Sequence, residues 1–157
     1  MKDIKPKLIR LFKEGYCTPQ ISRIAKAIDE PSATIHYNIK KLEEEGAIKT
    51  YKAAFDYKKI GEGFCAFVLI ALSSTEYSDP ERFAGVLAKH KEVESVNIVA
   101  GDWELIAKIR TKDQDEYFSF LKSVISREKG IGKSRSIISL KEIKTEFIKT
   151  QRFRTKL

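Results

Sequence analysis

A chain of 157 residues with 42% hydrophobic side chains is long enough for one ordinary domain or two small ones, and this composition excludes a disordered polypeptide. Its net charge of +8 is uneven: residues 1–60 carry 13 basic and 8 acidic side chains, residues 61–142 carry 12 and 13, and residues 143–157 carry 5 and 1. Two basic ends around a neutral middle predict a nucleic-acid-binding segment joined to a module with another task.

The composition argues against several classes of function. The longest apolar run, residues 64–72, is far shorter than the roughly 18 residues of a membrane helix, and no apolar signal region follows Met1, so a cytoplasmic protein is expected. Cys17 and Cys65 lack the paired spacing of metal ligands, and His36 and His90 are far apart. We therefore expect no metal, no cofactor and no histidine-based catalysis.

The first segment reads as three short helices. Apolar residues between Ile4 and Phe12 recur at helical spacing and stop at Gly15, which predicts a first helix. Thr18–Pro19 places a capping hydroxyl before a proline suited to the first helical position, and the second helix should end near Asp29.

Ser32 is expected to cap a third helix, which runs to Glu45 and ends before Gly46. Its inward stripe is predicted to be Ile35, Ile39 and Leu42. Two helices with so short a junction must cross sharply, which is typical of a helix-turn-helix domain whose second helix enters the major groove. Residues 48–53 alternate apolar and polar, as a small wing or connecting strand would. We assign residues 1–56 to this winged-type domain and residues 57–63 to a linker.

The remaining chain alternates strands and helices. The predicted elements are a strand at 64–72, a helix at 80–90, strands at 93–99 and 105–109 joined through Gly101, a helix at 113–127 and a strand at 134–140. The helix at 113–127 should face inward through Tyr117, Phe118, Leu121 and Val124. The order βαββαβ predicts a ferredoxin-like domain over residues 64–144, giving an α+β chain that ends in a basic tail at residues 145–157.

Several short segments follow one another in a recognisable order: Ile24–Ile28, Ser32–Ile35, Lys41–Ile48, Gly101–Leu105, and Gly130–Ile131 with Ser136–Ile138. These segments resemble the Lrp/AsnC family of feast/famine transcription regulators. Their shared order and spacing extend to about Lys144. Three positions depart from the family pattern: Asn38 replaces a usual arginine, Glu104 replaces an aspartate, and Lys129 replaces a proline.

The outer face of the third helix is the predicted DNA contact. A rotation of about 100° per residue places small, hydroxyl, amide and basic side chains opposite the apolar stripe. The candidate DNA-binding residues are Ser32, Ala33, Thr34, His36, Tyr37, Asn38, Lys40, Lys41 and, beyond the helix, Lys49. Hydroxyl and amide groups can contact base edges, while lysines neutralise phosphates. Lys52 and Lys58 extend this footprint, and Arg23 and Lys26 are weaker candidates; a solvated surface is the alternative for each lysine.

The resemblance implies a small amino-acid effector bound by the hairpin between the second and third strands. The implied effector-binding residues are Gly101, Asp102, Trp103, Glu104 and Ser136. A carboxylate there can accept charge-assisted hydrogen bonds from an ammonium group. The alternative is a structural hairpin in which Trp103 only packs.

Residues 64–72 are apolar on both faces of a strand, so helices and a partner's sheet are expected to cover one face each. We therefore expect a homodimer, and the resemblance implies an octamer, with paired reading heads on a pseudo-palindromic operator. Two other functions stay open. One is an architectural protein that binds double-stranded DNA without sequence preference, and the other is a siroheme-decarboxylase-like enzyme, which the single histidine of the second domain, His90, disfavours.

Overall fold

The computed structural model describes residues 4–73 and 79–144, which divide into two compact units. The first unit, residues 4–54, contains three helices, and the second, residues 55–73 and 79–144, contains a four-stranded sheet with two helices. The α+β class is confirmed. The predicted basic tail lies outside the described residues.

The three helices of the first unit are α1 (Lys5–Lys13), α2 (Ile21–Ile28) and α3 (Ser32–Glu44). Gly46 follows α3 with a positive φ of 71°, a conformation that glycine adopts without the steric cost of a side chain. This geometry lets the Ile48 amide donate to the Leu42 carbonyl at 3.0 Å, and α3 ends there.

Both predicted helix caps in this unit were wrong. Helix α2 begins at Ile21 rather than beside Thr18–Pro19, because the first acceptor is the Gln20 carbonyl, which takes the Ile24 amide at 3.0 Å. In α3 the residue before the helix is Pro31, and its carbonyl accepts from the Ile35 amide at 3.1 Å. Ser32 is thus the first helical residue, and no side chain caps either helix.

The predicted inward stripe of α3 is only partly buried. Ala25 of α2 and Ile35 of α3 are buried, Ile39 is half-buried, and Leu42 is 42% exposed. The strand expected at residues 48–53 does not form within the chain, since residues 48–56 carry no strand pairing. The Tyr51 hydroxyl instead donates to Glu43 Oε1 at 2.8 Å, which ties this segment to the end of α3.

The second unit contains, in order, β1 (Phe64–Leu72), α4 (Pro80–Leu87), β2 (Val93–Ile98), β3 (Leu105–Thr111), α5 (Gln114–Phe120) and β4 (Ile131–Ile138). A π-helical turn, Leu121–Ile125, continues α5. The strands lie in the order β2-β3-β1-β4, and every pair is antiparallel.

Both helices contribute to a core on one face of the sheet. Alternate residues of β1, including Val68 and Ile70, are fully buried there beside Phe83 of α4. The prediction that Phe118 faces inward was wrong, because Phe118 is 64% exposed and Phe120 is buried instead.

The opposite face of the sheet, called the open face below, is apolar at its centre. Its apolar residues are Phe67, Leu69 and Ala71 of β1, Ile106 of β3 and Ile137 of β4, and the side chains of Lys108, Lys133 and Arg135 lie around them on the same face. Ile137 is 48% exposed, and the other apolar residues are half-buried. The second apolar face predicted for β1 is therefore present and partly exposed in a single chain.

Candidate nucleic-acid interface and ligand hairpin

The outer face of α3 is the candidate nucleic-acid interface. All nine predicted DNA-binding residues, the eight on α3 and Lys49, are exposed, and 68% of the surface of Tyr37 is accessible. The cause is local: Ile35 is buried toward α2, and the helical period turns Thr34, Tyr37 and Lys41 outward.

Hydrogen bonds and ion pairs refine the roles of these residues. The Asn38 amide donates from Nδ2 to the Thr34 carbonyl at 2.8 Å, so one of its two N–H donors is used within the helix. Lys40 lies 3.6 Å from Glu44, and Lys41 lies 3.8 Å from Glu45, as ion pairs on the helix surface. Exposed pairs of this kind contribute little stability, so either ammonium can exchange its carboxylate for a phosphate.

The candidate ligand hairpin joins β2 to β3 through residues 99–104. The Val99 amide donates to the Glu104 carbonyl at 2.9 Å and closes the connection. Gly101 has a φ of 129°, which strains any other residue, and nothing lies within 4 Å of the position where a Cβ would stand. The hairpin therefore leaves backbone groups accessible at Gly101 and an exposed carboxylate at Asp102.

Glu104 has a structural contact that the sequence did not predict. Its Oε2 accepts the Leu72 amide at 2.7 Å, and its own amide donates to the Ile70 carbonyl at 3.0 Å. The pairing of β1 with β4 is irregular between Ala71 and Leu72, and the Glu104 carboxylate takes the Leu72 amide at that point. The other carboxylate oxygen of Glu104, Oε1, accepts no hydrogen bond from the described residues.

The other predicted effector residues separate onto two sides of the sheet. The Lys133 ammonium of β4 lies 4.9 Å from the centre of the Trp103 ring, a cation–π contact on the side of the open face. Ser136 lies on the helix side, where its hydroxyl accepts from the Tyr117 hydroxyl at 2.6 Å. Burial raises the pKa of Tyr117, while the hydrogen bond to Ser136 opposes that rise. The structure thus brings Gly101–Glu104 together with Lys133 rather than with Ser136.

A charged cluster that the sequence did not predict lies at one end of the open face. Lys108 of β3 contacts Glu94 at 3.0 Å, and Arg110 contacts Glu94 at 2.7 Å and Glu142 at 3.0 Å. The Tyr57 ring stacks on the Arg110 guanidinium at 3.6 Å. Burial lowers the pKa of Arg110, but the hydrogen bond to Glu94 and the nearby carboxylates outweigh it, so the pKa is raised.

The sequence did carry a signal for this cluster. Lys108 and Arg110 are two residues apart in a strand that is otherwise mostly apolar, so both side chains lie on one face and need anionic partners there. Tyr57 and Glu142 have no such signal, because they reach the cluster from segments outside the strands. Tyr57 lies within residues 57–63, the range predicted to be a linker, but it belongs to the second unit and packs on Arg110 there.

Residues 65–148 match the family described as the Lrp/AsnC ligand binding domain. The chain belongs to the Lrp/AsnC family. One curated relative in this family is the HTH-type transcriptional regulator FL11 of Pyrococcus furiosus, which is 33% identical over 141 residues, covering 90% of this chain and 90% of that protein.

Solved structures of the same fold cover nearly the whole chain. An AsnC family transcriptional regulator from Agrobacterium tumefaciens is 25% identical, covers 94% of this chain and 97% of its own, and has a TM-score of 0.71. A transcriptional regulator of Neisseria meningitidis, solved in complex with L-methionine, is 21% identical, covers 92% of each chain and has a TM-score of 0.70, a likeness of fold.

Each of these three relatives is named a transcriptional regulator. Over residues 4–73 and 79–144, no helix is both long and apolar enough to cross a membrane. The same residues contain no group of three or more histidine, cysteine, aspartate or glutamate side chains arranged to hold a metal ion.

Proposed function

We propose that this chain is a DNA-binding transcription regulator of the Lrp/AsnC type that reads its operator with α3. The observation that carries the proposal is the outer face of α3, where Thr34, Tyr37 and two lysines are exposed together. The relative FL11, named an HTH-type transcriptional regulator, supports the same function at 33% identity.

The finer description of the fold belongs to this proposal. The sharp junction between α2 and α3, where Asp29 adopts a left-handed φ of 56°, supports a helix-turn-helix in residues 4–54. The strand order β2-β3-β1-β4 with two helices on one face supports a ferredoxin-like second domain. In this arrangement α2 packs against α3, and α3 enters the major groove of DNA.

Division of labour along α3 follows from side-chain chemistry. Thr34 and Tyr37 have hydroxyls that reach base edges or phosphates, and Ala33 permits close approach to the groove floor. Lys40, Lys41 and Lys49 supply charge for phosphates without reading sequence. Because Asn38 uses one of its two N–H donors within its own helix, we assign sequence discrimination chiefly to Thr34 and Tyr37, with Ser32, His36 and the remaining amide groups of Asn38 beside them.

Selection of bound fragments from genomic DNA tests the function directly. We expect a small set of enriched fragments, with affinity that falls steeply between about 50 and 200 mM salt because several phosphates are neutralised. Recovery of all fragments equally would favour architectural packaging instead. A Soret band after incubation with a tetrapyrrole would point to a decarboxylase-like enzyme.

We infer that the chain is a homodimer that buries the open face. The support is the uncovered apolar centre formed by Phe67, Leu69, Ala71, Ile106 and Ile137, which a sheet exposed to water on that side does not need. A twofold dimer pairs two reading heads, which suits a pseudo-palindromic operator. Higher assembly, up to the octamer implied by the family, is part of the same proposal. Light scattering at micromolar concentration should give a dimer or larger, and a monomer would overturn it.

We also propose that the hairpin Gly101–Glu104 binds a small amino acid. Three charges support this: the exposed Asp102 carboxylate and the second oxygen of Glu104 suit an ammonium, and Lys133 suits a carboxylate. The fold neighbour solved with L-methionine makes that amino acid the first probe. Ser136 stays a prediction from family position, because its hydroxyl is bonded to Tyr117. Calorimetric titration with a panel of amino acids should give heat for at least one, and no heat for any would overturn this part.

A further inference from the structure

A row of four residues crosses the open face from one edge of the sheet to the other. Backbone pairing places Asn97 of β2 beside Ile106 of β3, Ile106 beside Leu69 of β1, and Leu69 beside Arg135 of β4. Residues paired directly across neighbouring strands lie on the same side of a sheet, so all four share the open face. We call these four residues the middle row. An amide stands at one end, a guanidinium at the other, and two apolar side chains lie between them.

The two polar ends of the middle row have no partner within one chain. Asn97 and Arg135 are exposed, and neither side chain makes a hydrogen bond or an ion pair in the part of the chain that the structure describes. The neighbouring cations differ, because Lys108 is bonded to two carboxylates and Lys133 lies over an indole ring. A second copy that covers the open face takes water away from both ends of the row, and each end then needs a partner from that copy.

The order of side chains in the middle row suits a second copy of itself. Two sheets that pack face to face keep their strands nearly aligned. A twofold axis parallel to the strands, midway between β1 and β3, sets each end of the row opposite the other end in the second copy. Ile106 then faces Leu69 of the second copy, and Arg135 faces its Asn97. An axis that runs across the strands would instead bring the two Arg135 side chains together, and like charges repel.

The two edge strands differ in charge, which favours the same axis. Strand β4 carries Lys133 and Arg135 and no acidic residue, while β2 carries Glu94 and no basic residue. The axis between β1 and β3 lays β4 of each copy over β2 of the other. Glu94 is already bonded to two cations of its own chain, so the acceptor on β2 that a second copy finds without a donor is the Asn97 carboxamide. Complementary polar groups of this kind set the register of an interface more than they add affinity.

We propose that Arg135 and Asn97 determine how the second copy is seated on the open face. The Arg135 guanidinium of each copy donates to the carboxamide oxygen of Asn97 in the other, a charge-assisted hydrogen bond that occurs twice per dimer. The inference rests on the proposed dimer through the open face, and it adds the two residues that fix the register of that dimer.

The test changes the charge at Asn97 in both directions and follows dissociation of the full-length dimer on dilution by analytical ultracentrifugation. Asn97→Asp should tighten the dimer by about threefold to thirtyfold, because a carboxylate then faces the guanidinium at two places. Asn97→Lys should loosen the dimer by a similar factor. Gln114→Glu is the matched control, since it makes the same change from amide to carboxylate at an exposed residue of α5, and its dimer should dissociate as wild type does.

Arg135→Met separates the charge of the second copy from the charges of the same chain. Combined with Arg135→Met, the tightening by Asn97→Asp and the loosening by Asn97→Lys should both disappear. Where the dimer is too tight to dissociate on dilution, the concentration dependence of the urea midpoint gives the same comparison.

Three outcomes would overturn the inference: no response to either Asn97 variant, responses in the same direction, or opposite responses that persist with Arg135→Met. A wild-type monomer would overturn the proposed dimer itself. A wild-type dimer that ignores the charge at Asn97 would leave the proposed dimer standing and overturn only its register.

Discussion

At the residue scale, α3 separates side chains that read bases from side chains that hold the phosphate backbone. Replacing Thr34 and Tyr37 by alanine should cost about 1–3 kcal/mol of discrimination between the operator and an unrelated fragment. Replacing Lys40 and Lys41 should weaken binding to both fragments alike and reduce the slope of log affinity against log salt by about one per lysine. Fluorescence anisotropy over a salt series measures both, and identical behaviour of the two double variants would contradict the division.

Glu104 tests at one position whether the hairpin is a ligand site or only a structural connection. In Glu104→Gln the amide oxygen can still accept the Leu72 amide, so the melting temperature should stay near that of wild type, while the charge offered to an ammonium is lost. Glu104→Ala removes both and should destabilise by about 1 kcal/mol. Calorimetry with the amino acid that wild type binds gives the readout. Full binding by Glu104→Gln would reduce Glu104 to a structural role.

The exposure of single residues was easier to predict from the sequence than their hydrogen-bond partners were. The helical period placed Thr34, Tyr37 and Lys41 outward correctly. The contacts of Asn38 with Thr34 and of Glu104 with Leu72 could not be read in the same way. The first depends on a rotamer choice, and the second depends on a strand irregularity that only pairing with a distant strand creates.

At the element scale, the core beneath the sheet should depend on α4 and not on every aromatic residue of α5. Phe83→Ala removes a side chain that is 1% exposed and should destabilise the fold by about 3–5 kcal/mol. Phe118→Ala is the matched control, because Phe118 is 64% exposed and its loss should change stability by less than about 0.5 kcal/mol. Chemical denaturation followed by circular dichroism measures both, and comparable losses would contradict the assigned orientation of α5.

The segment after β4 should carry a pH dependence of its own. Burial raises the pKa of Glu142, but hydrogen bonds from Lys108 and Arg110 and their charges outweigh it, so its pKa in the folded protein is below the ordinary value. Its contribution is therefore complete above the ordinary carboxyl pKa and is lost as pH falls through the lower folded value. Thermal melts from pH 7 to pH 3 should show a smaller acid loss for Glu142→Gln than for wild type. Parallel curves would contradict the pairing.

Helices and strands were predictable where the hydrophobic repeat continued over many residues, but the residues at which they begin and end were not. All four strands and all five helices of the described chain lie where hydrophobic spacing predicts them, within a few residues. The predicted side-chain caps at Thr18 and Ser32 were wrong. The backbone carbonyls of Gln20 and Pro31 accept the first hydrogen bonds of α2 and α3, and no side chain caps either helix. Phe118 failed for a geometric reason: it is about 100° from Tyr117 around the helix, while Phe120 is about 60° away.

At the scale of the whole molecule, a dimer through the open face should be sensitive to one buried charge. Ile106→Asp places a carboxylate opposite Leu69 and Asn97 on the open face and should yield a monomer by light scattering, because an unpaired charge in an apolar interface is costly. Phe118→Asp, on the exposed side of α5, should leave the assembly unchanged. Dissociation by the second variant but not the first would place the interface elsewhere.

Two features of the first unit that the proposed dimer leaves for a second copy to complete are also those that the sequence predicted least well. Residues 48–53 alternate like a strand but find no pairing partner within the chain, and Leu42 keeps 42% of its surface exposed despite its place in the inward stripe. Both predictions assumed that every strand and every apolar side chain finds its partner within one chain. The second apolar face of β1 was predicted correctly. One chain has helices for only one face of its sheet, so a strand that is apolar on both faces predicts an exposed apolar surface.

The central claim, that α3 reads a specific operator, is tested most directly by footprinting wild-type protein on genomic fragments that it has selected. The account predicts discrete protected sites with twofold-related halves about one helical turn apart, and loss of protection when Thr34 and Tyr37 are both alanine. Uniform protection along every fragment, unchanged in that variant, would contradict it.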